Sequence, residues 1–158
     1  MKTILIYQSK TGCTEDCALF IQSKVDNIDV VNLKKAKIVN IEAYDRVIIG
    51  SSIYVGGPLK YIRKYCAGNE QKLLNKDLFL YFLGASKNYE EVEKGLKKTI
   101  PQKLIEHAKA ISFFGGEIRF DKLNFFERVI MKKIKKENNL SPTINYKAID
   151  EFIKMIEK

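Results

Sequence analysis

Residues 9–14 read "SKTGCT" and lie between the apolar run "TILIY" at 3–7 and a stretch with helical spacing from about residue 14. Ser9, Thr11 and Thr14 carry hydroxyl donors, and Gly12 permits backbone geometry that a side chain would obstruct. Such a loop can curl its backbone N–H groups toward one point, and at Lys10 and Cys13 the main chain is the part that matters. The helix that follows adds its unsatisfied first-turn N–H groups and the positive end of its dipole. A dianion is well held there, and the inference is a phosphate site. The pattern is neither the "GxxxxGKS/T" nucleotide loop, with its Lys and magnesium hydroxyl, nor the "GxGxxG" turn of dinucleotide folds. Hydroxyls with one Gly and no metal suit a terminal phosphomonoester. The competing reading is that Thr11 or Thr14 merely caps the helix.

Two further loops leave the same edge of the expected sheet. "DRVIIG" at 45–50 runs into "SSIYVGGPL", so that Ser51, Ser52, Ile53, Tyr54, Val55, Gly56 and Gly57 follow a strand directly. The two glycines and Pro58 let the main chain lie close to a flat ring, and Tyr54 offers a face for stacking, against the alternative of ordinary surface packing. "LFLYFLG" at 78–84 runs into "ASKNYEE", where Gly84, Ala85, Ser86 and Asn88 leave room and backbone N–H groups can reach ring carbonyls. A phosphate pocket flanked by two such loops describes a site for FMN, with these three groups of residues as its cofactor-binding set. No metal site and no side-chain acid or base is expected.

The elements that must position these loops follow from the pattern of apolar residues. The runs at 3–7, 45–50, 78–84 and 110–116 are apolar on both alternating faces, as strands covered by helices on each side should be, and 28–33 reads as an edge strand. Helical spacing occupies about 14–25, 58–75 and 89–108, with a short link at 34–43. This alternation predicts an α/β domain with a five-stranded parallel sheet wrapped on both faces. At 158 residues and 46% hydrophobic content the chain is expected to form a single domain over 1–158. Without an apolar run of about 20 residues or a signal-peptide pattern, a cytoplasmic location is expected. The 28 Lys+Arg against 19 Asp+Glu give a net charge of +9, which favours anionic partners.

With Ser9, Thr11, Gly12 and Thr14 matching its first-loop pattern, the chain resembles flavodoxin-like FMN proteins over essentially its whole length. The resemblance implies a three-layer doubly wound fold. Within that superfamily the sequence is most similar to the branch of menaquinone-dependent protoporphyrinogen dehydrogenases. The segments that carry this are "MKTILIYQSKTGCT", "YDRVIIGSSIYVGGPLKYIRKY" at 44–65 and "GGEIRFDKLNFFERVIMKKIKK" at 115–136. In that branch noncovalent FMN passes electrons from a porphyrinogen toward quinone at the membrane. The implied role is a redox flavoprotein, an oxidoreductase or electron-transfer protein, with a redox protein, a quinone or a porphyrinogen as partner. A flavodoxin-like binding or scaffold module without redox turnover is the alternative. Unlike the acidic electron carriers of the superfamily, this chain carries Lys60 and Lys87 on its two ring loops.

Outside these loops the signals are weaker. "KLNFFERVIMKKIKKENN" at 122–139 reads as a basic amphipathic helix. Either Phe125, Val129 and Ile130 pack on the sheet with the lysines solvated, or the segment lies on an anionic membrane surface. After Pro142, residues 145–157 form a closing helix. Cys13, Cys17 and Cys66 match neither a disulfide framework nor a zinc site, and His107 stands without a catalytic constellation. No nucleic-acid module is present, so no nucleic-acid partner is expected.

Overall fold

The structure, a computed structural model, describes residues 1–158 apart from 37, 55, 87 and 139–141 and the side chain of Asn138. The runs at 3–7, 45–50 and 78–84 become strands for the reason their pattern suggests, each burying one set of side chains against one helical layer and the alternate set against the other; the run at 110–116, expected to be covered on both faces, instead forms an edge of the sheet and leaves Ile111 exposed. Leu5, Tyr7, Ile48, Phe79, Tyr81 and Leu83 face one core, and Ile4, Ile6, Val47, Ile49, Leu78, Leu80 and Phe82 face the second. The strands are β1 (Thr3–Gln8), β2 (Ile28–Asn32), β3 (Arg46–Tyr54), β4 (Gly57–Pro58), β5 (Asp77–Leu83) and β6 (Ala110–Phe113). Five of them form a parallel sheet in the order β2-β1-β3-β5-β6, and the two-residue β4 pairs antiparallel with the tip of β3.

Helix α1 (Cys13–Gln22) and α7 (Tyr146–Glu157) cover the first face through Cys17, Ala18, Ile21, Ile149, Phe152 and Ile153. On the second face lie α2 (Lys60–Gly68), α3 (Glu70–Leu73), α4 (Tyr89–Thr99) and α5 (Gln102–His107). Each of the two long helical stretches read from periodicity is thus a pair of helices. Gly68 and Asn69 end α2, since glycine loses the most backbone entropy in a helix and Asn69 leaves helical geometry. Ile100 is extended ahead of Pro101, whose ring disfavours a helical predecessor, and α4 ends there. The link at 34–43 is a turn without a helix among its described residues.

The "loop" after Gly50 differs most from expectation. β3 continues through Ser51, Ser52, Ile53 and Tyr54 and turns back as a hairpin, Ile53 pairing Pro58 and Tyr54 pairing Gly57. Ser51 closes the turn, its buried hydroxyl accepting the Leu59 N–H at 2.9 Å. Basic helix α6 (Phe125–Asn138) follows a short 3-10 turn at Phe120–Lys122. It does not pack its apolar side on the sheet: Phe125, Phe126, Val129 and Ile130 are exposed. Of the two readings of this segment, burial of Phe125, Val129 and Ile130 is therefore corrected. Among the described residues no helix is long and apolar enough to cross a membrane.

One buried contact carries order from the sheet to the first loop. Tyr81, fully buried and stacked on Phe114 at 4.9 Å between centroids, donates its hydroxyl to the Thr14 carbonyl at 3.3 Å. It fits because Gly50 beside it has no side chain; a Cβ there would lie 2.1 Å from Tyr81 Cζ. Replacing Gly50→Ala is expected to cost about 1–3 kcal/mol by overpacking, read as a lower denaturant midpoint with unchanged slope. An unchanged midpoint would show that the Tyr81 ring is not confined as described.

Candidate functional site

The sheet order reverses between β1 and β3: the chain leaves β1 for β2 on one side and returns to β3 on the other. At such a switch point the loops beyond the carboxyl ends of the strands part and leave a crevice. There an open cleft of about 550 Å³ is lined by Lys10, Thr11, Cys13, Ser52, Ile53, Tyr54, Gly84 and Ala85 from the three loops read in the sequence.

At one end is the turn into α1. Gly12 adopts left-handed geometry, φ 98° and ψ −14°, which glycine supplies without strain. Ser9 shapes this turn, its hydroxyl accepting the Gly12 N–H at 2.9 Å. No side chain caps α1, so neither Thr11 nor Thr14 plays the capping role that competed with anion binding. Thr14 is fully buried and its hydroxyl lies 2.8 Å from that of Ser52, which ties the helix start to the tip of β3. An uncapped helix start behind a left-handed glycine is the geometry that holds phosphate.

Toward the other end, Tyr54 stands half-buried on the hairpin, with Gly84 and Ala85 also lining the cleft. The Lys10 ammonium lies 3.6 Å from the Tyr54 ring centroid and donates to the Glu127 carboxylate of α6, holding that carboxyl below the usual Glu range. The hairpin is braced from behind by α4. A Cβ on Gly95 would fall 1.8 Å from the Gly56 carbonyl oxygen, and one on Gly57 would fall 3.1 Å from Thr99 Cγ2. Gly56 and Gly57 thus serve close backbone packing against α4 and do not line the cleft. Ser86 and Asn88 also stand outside it: Ser86 accepts the Asn88 N–H, and Asn88 caps α4 through the Glu91 N–H. Val55 and Lys87 lie outside the described residues, and Lys60 is exposed at the start of α2.

A third wall was missed by sequence reasoning. Gly116, Glu117, Ile118, Arg119 and Leu123 after β6, with Met131 of α6, also line the cleft. This loop is joined to the one after β5, Gly84 N–H donating to the Gly115 carbonyl at 2.8 Å. Arg119 reaches across to α1, where it donates to Asp16 at 2.6 Å, and also donates to Glu117 at 3.2 Å. The Asp16 bond holds the guanidinium ionised well beyond its ordinary range. The signal was present: β6 runs parallel to its neighbours, so "GGEIRF" had to leave by the same edge as the other loops.

These elements belong to a known arrangement, and a match to the Flavodoxin domain family spans residues 4–143. The chain belongs to the flavodoxin domain family. Among curated proteins, the flavodoxin-domain chain is 21% identical over 144 residues to protoporphyrinogen IX dehydrogenase [quinone] of Escherichia coli K12, covering 86% of this chain and 80% of the relative. The Trp repressor binding protein from Bacillus subtilis superposes with a TM-score of 0.63 at 11% identity, over 99% of this chain and 98% of that one. A flavoprotein from Lactobacillus acidophilus, solved in complex with FMN, superposes with a TM-score of 0.52 at 16% identity, over 73% of this chain and 91% of that one. The likeness in structure establishes the flavodoxin-like fold.

All three cysteines are buried and free, and burial pushes the Cys17 and Cys66 thiols up to about 12, so both stay protonated at neutral pH. His107 sits in the last turn of α5 with its Nε2 2.8 Å from the Lys76 carbonyl, a structural contact. Gly95→Ala is expected to pry the hairpin from α4, seen as faster amide exchange at residues 53–57 with β1 protection retained. Equal protection in both proteins would refute the brace.

Proposed function

We propose that this flavodoxin-domain protein is an FMN-binding redox flavoprotein, an oxidoreductase or electron-transfer protein working in the cytoplasm at an anionic membrane surface. The observation that carries the reading is the meeting in one cleft of an uncapped helix start behind left-handed Gly12 with Tyr54, Gly84 and Ala85. The residues fit the cofactor. Gly12 leaves space below Arg119 Nη1 that a Cβ would take up, and Thr11 with the free N–H groups at the start of α1 would hold the phosphate. Ile53, Tyr54 and the backbone at Gly84 and Ala85 would bound the ring. The FMN bound to the Lactobacillus relative and the quinone in the name of the Escherichia coli relative support the same reading. When bound, FMN supplies reversible uptake and release of electrons.

The chain's own contribution is position, exclusion of water and charge. Lys10 and Arg119 bring cations to the cleft walls, each held by carboxylates, Lys10 by Glu127 and Arg119 by Asp16 and Glu117. Helix α6 joins this cleft to the surface. Met131 lines the cleft, while Phe125 and Phe126 are 73% and 77% exposed and Lys132, Lys133, Lys135 and Lys136 follow on the same helix. Covering an exposed Phe stabilises by roughly 1.5–3 kcal/mol, and each Lys near an anionic leaflet adds about 1 kcal/mol. That combination supports a lipid surface as what covers α6, with an apolar acceptor such as a quinone, and a porphyrinogen as donor, reaching the cleft from there.

Purified protein is expected to be yellow and to release FMN on denaturation. Thr11→Glu should abolish retention without unfolding the chain, because a carboxylate then faces the phosphate. A colourless chain that takes up no added FMN would leave only a binding or scaffold module. Porphyrinogen oxidation with a quinone acceptor tests the enzymatic role directly, and absence of turnover would leave electron transfer. Co-sedimentation with phosphatidylglycerol vesicles should weaken with salt and fall when Phe125 and Phe126 are both replaced by Ser. Equal sedimentation by the variant, or none by the native chain, would remove the membrane from the reading.

A further inference from the structure

We propose that Arg119 is a ligand of the cofactor phosphate, delivered from the loop after β6, and that it makes the site select a phosphorylated flavin over an unphosphorylated one. The inference rests on the flavin reading above and adds a residue outside the loop that binds phosphate through its backbone.

Three observations support it. Arg119 Nη1 stands directly over the phosphate turn: a Cβ on Gly12 would lie 2.9 Å from it. The guanidinium is three-quarters buried in the cleft wall, and its other nitrogens are oriented by carboxylates, Nη2 by Asp16 and Nε by Glu117. Nη1 makes no hydrogen bond among the described residues, so it keeps donors facing the turn. The charge balance points the same way. Asp16 lies in the first turn of α1 and Glu117 in the cleft wall, and a dianion beside two carboxylates is repelled unless a cation stands between them. Arg119 stands there, and its planar fork can keep its carboxylates while Nη1 binds a phosphate oxygen. Riboflavin presents no dianion at this point and gains nothing from the guanidinium.

The test is equilibrium dialysis of the full chain against FMN and, separately, riboflavin, with each variant's folding checked by its unfolding midpoint. Arg119→Ala is expected to weaken FMN roughly 10- to 100-fold, the range for a lost charge-assisted hydrogen bond, and to leave riboflavin unchanged. Arg119→Lys should recover part of the FMN affinity. Asp16→Asn distinguishes a ligand from a brace: it removes a repelling carboxylate and should leave FMN binding equal or tighter. If Arg119 only tied its loop to α1, Asp16→Asn would weaken FMN as much as Arg119→Ala does. That outcome, equal loss of both flavins in Arg119→Ala, or no loss of FMN would overturn the proposal. Failure of the native chain to bind either flavin would instead overturn the flavin reading itself, and the proposal with it.

Discussion

Everything functional in this protein hangs on the pairing of β1 with a parallel neighbour on each side. Thr3 to Tyr7 register against Ile28 to Asn32 in one direction, and Thr3 to Gln8 against Arg46 to Ser51 in the other. A strand so placed cannot face water, which is why "TILIY" is apolar on both faces. The reversal of direction around it also leaves the crevice into which its carboxyl end opens. The turn at residues 9–14 is then held by buried Tyr81 through the Thr14 carbonyl and by half-buried Ser52 through the Thr14 hydroxyl. Backbone groups can serve as ligands only when the backbone is fixed, and here the sheet fixes it.

Charge is distributed unevenly over this frame. The two cations of the cleft, Lys10 and Arg119, each hold a carboxylate partner from a distant part of the chain, Glu127 and Asp16. Each pair ties the first loop and helix to the segment after β6, so the charge of the cleft wall and its mechanical attachment reside in the same side chains. Exposed ion pairs contribute little to global stability. Their importance here is local, because they help set the position of the wall after β6.

What was legible in the sequence divides along physical lines. Burial on both faces leaves a direct imprint, so β1, β3 and β5 could be read from their apolar runs, while the edge strands β2 and β6 carry a weaker one. The turn at residues 9–14 was legible because few residue types tolerate the left-handed geometry at Gly12. The division of the helical stretches was written in Gly68, Asn69 and Pro101, yet apolar periodicity runs through both breaks and hides them. Extension of β3 to Tyr54 was concealed by "SSIY", whose polar start reads as a loop although Ser51 is wholly buried. Two features were beyond a reading by local pattern. Amphipathic spacing in α6 says that one side is apolar but not what covers it, and the pairing of Arg119 with Asp16 spans 103 positions and exists only once the sheet is built.

The late arrival of that third wall has a consequence for how the protein comes into being. The cleft uses Lys10 and Thr11 near the start of the chain, but Arg119, Leu123 and Met131 are made only after most of its 158 residues. Chains emerge from the ribosome N-terminus first. The turn at residues 9–14 therefore exists as polypeptide before the side chains that complete its surroundings, and α7, which covers the first face of the sheet, is made after them. A ligand of this cleft would meet its full set of walls only on a chain that has already finished its sheet.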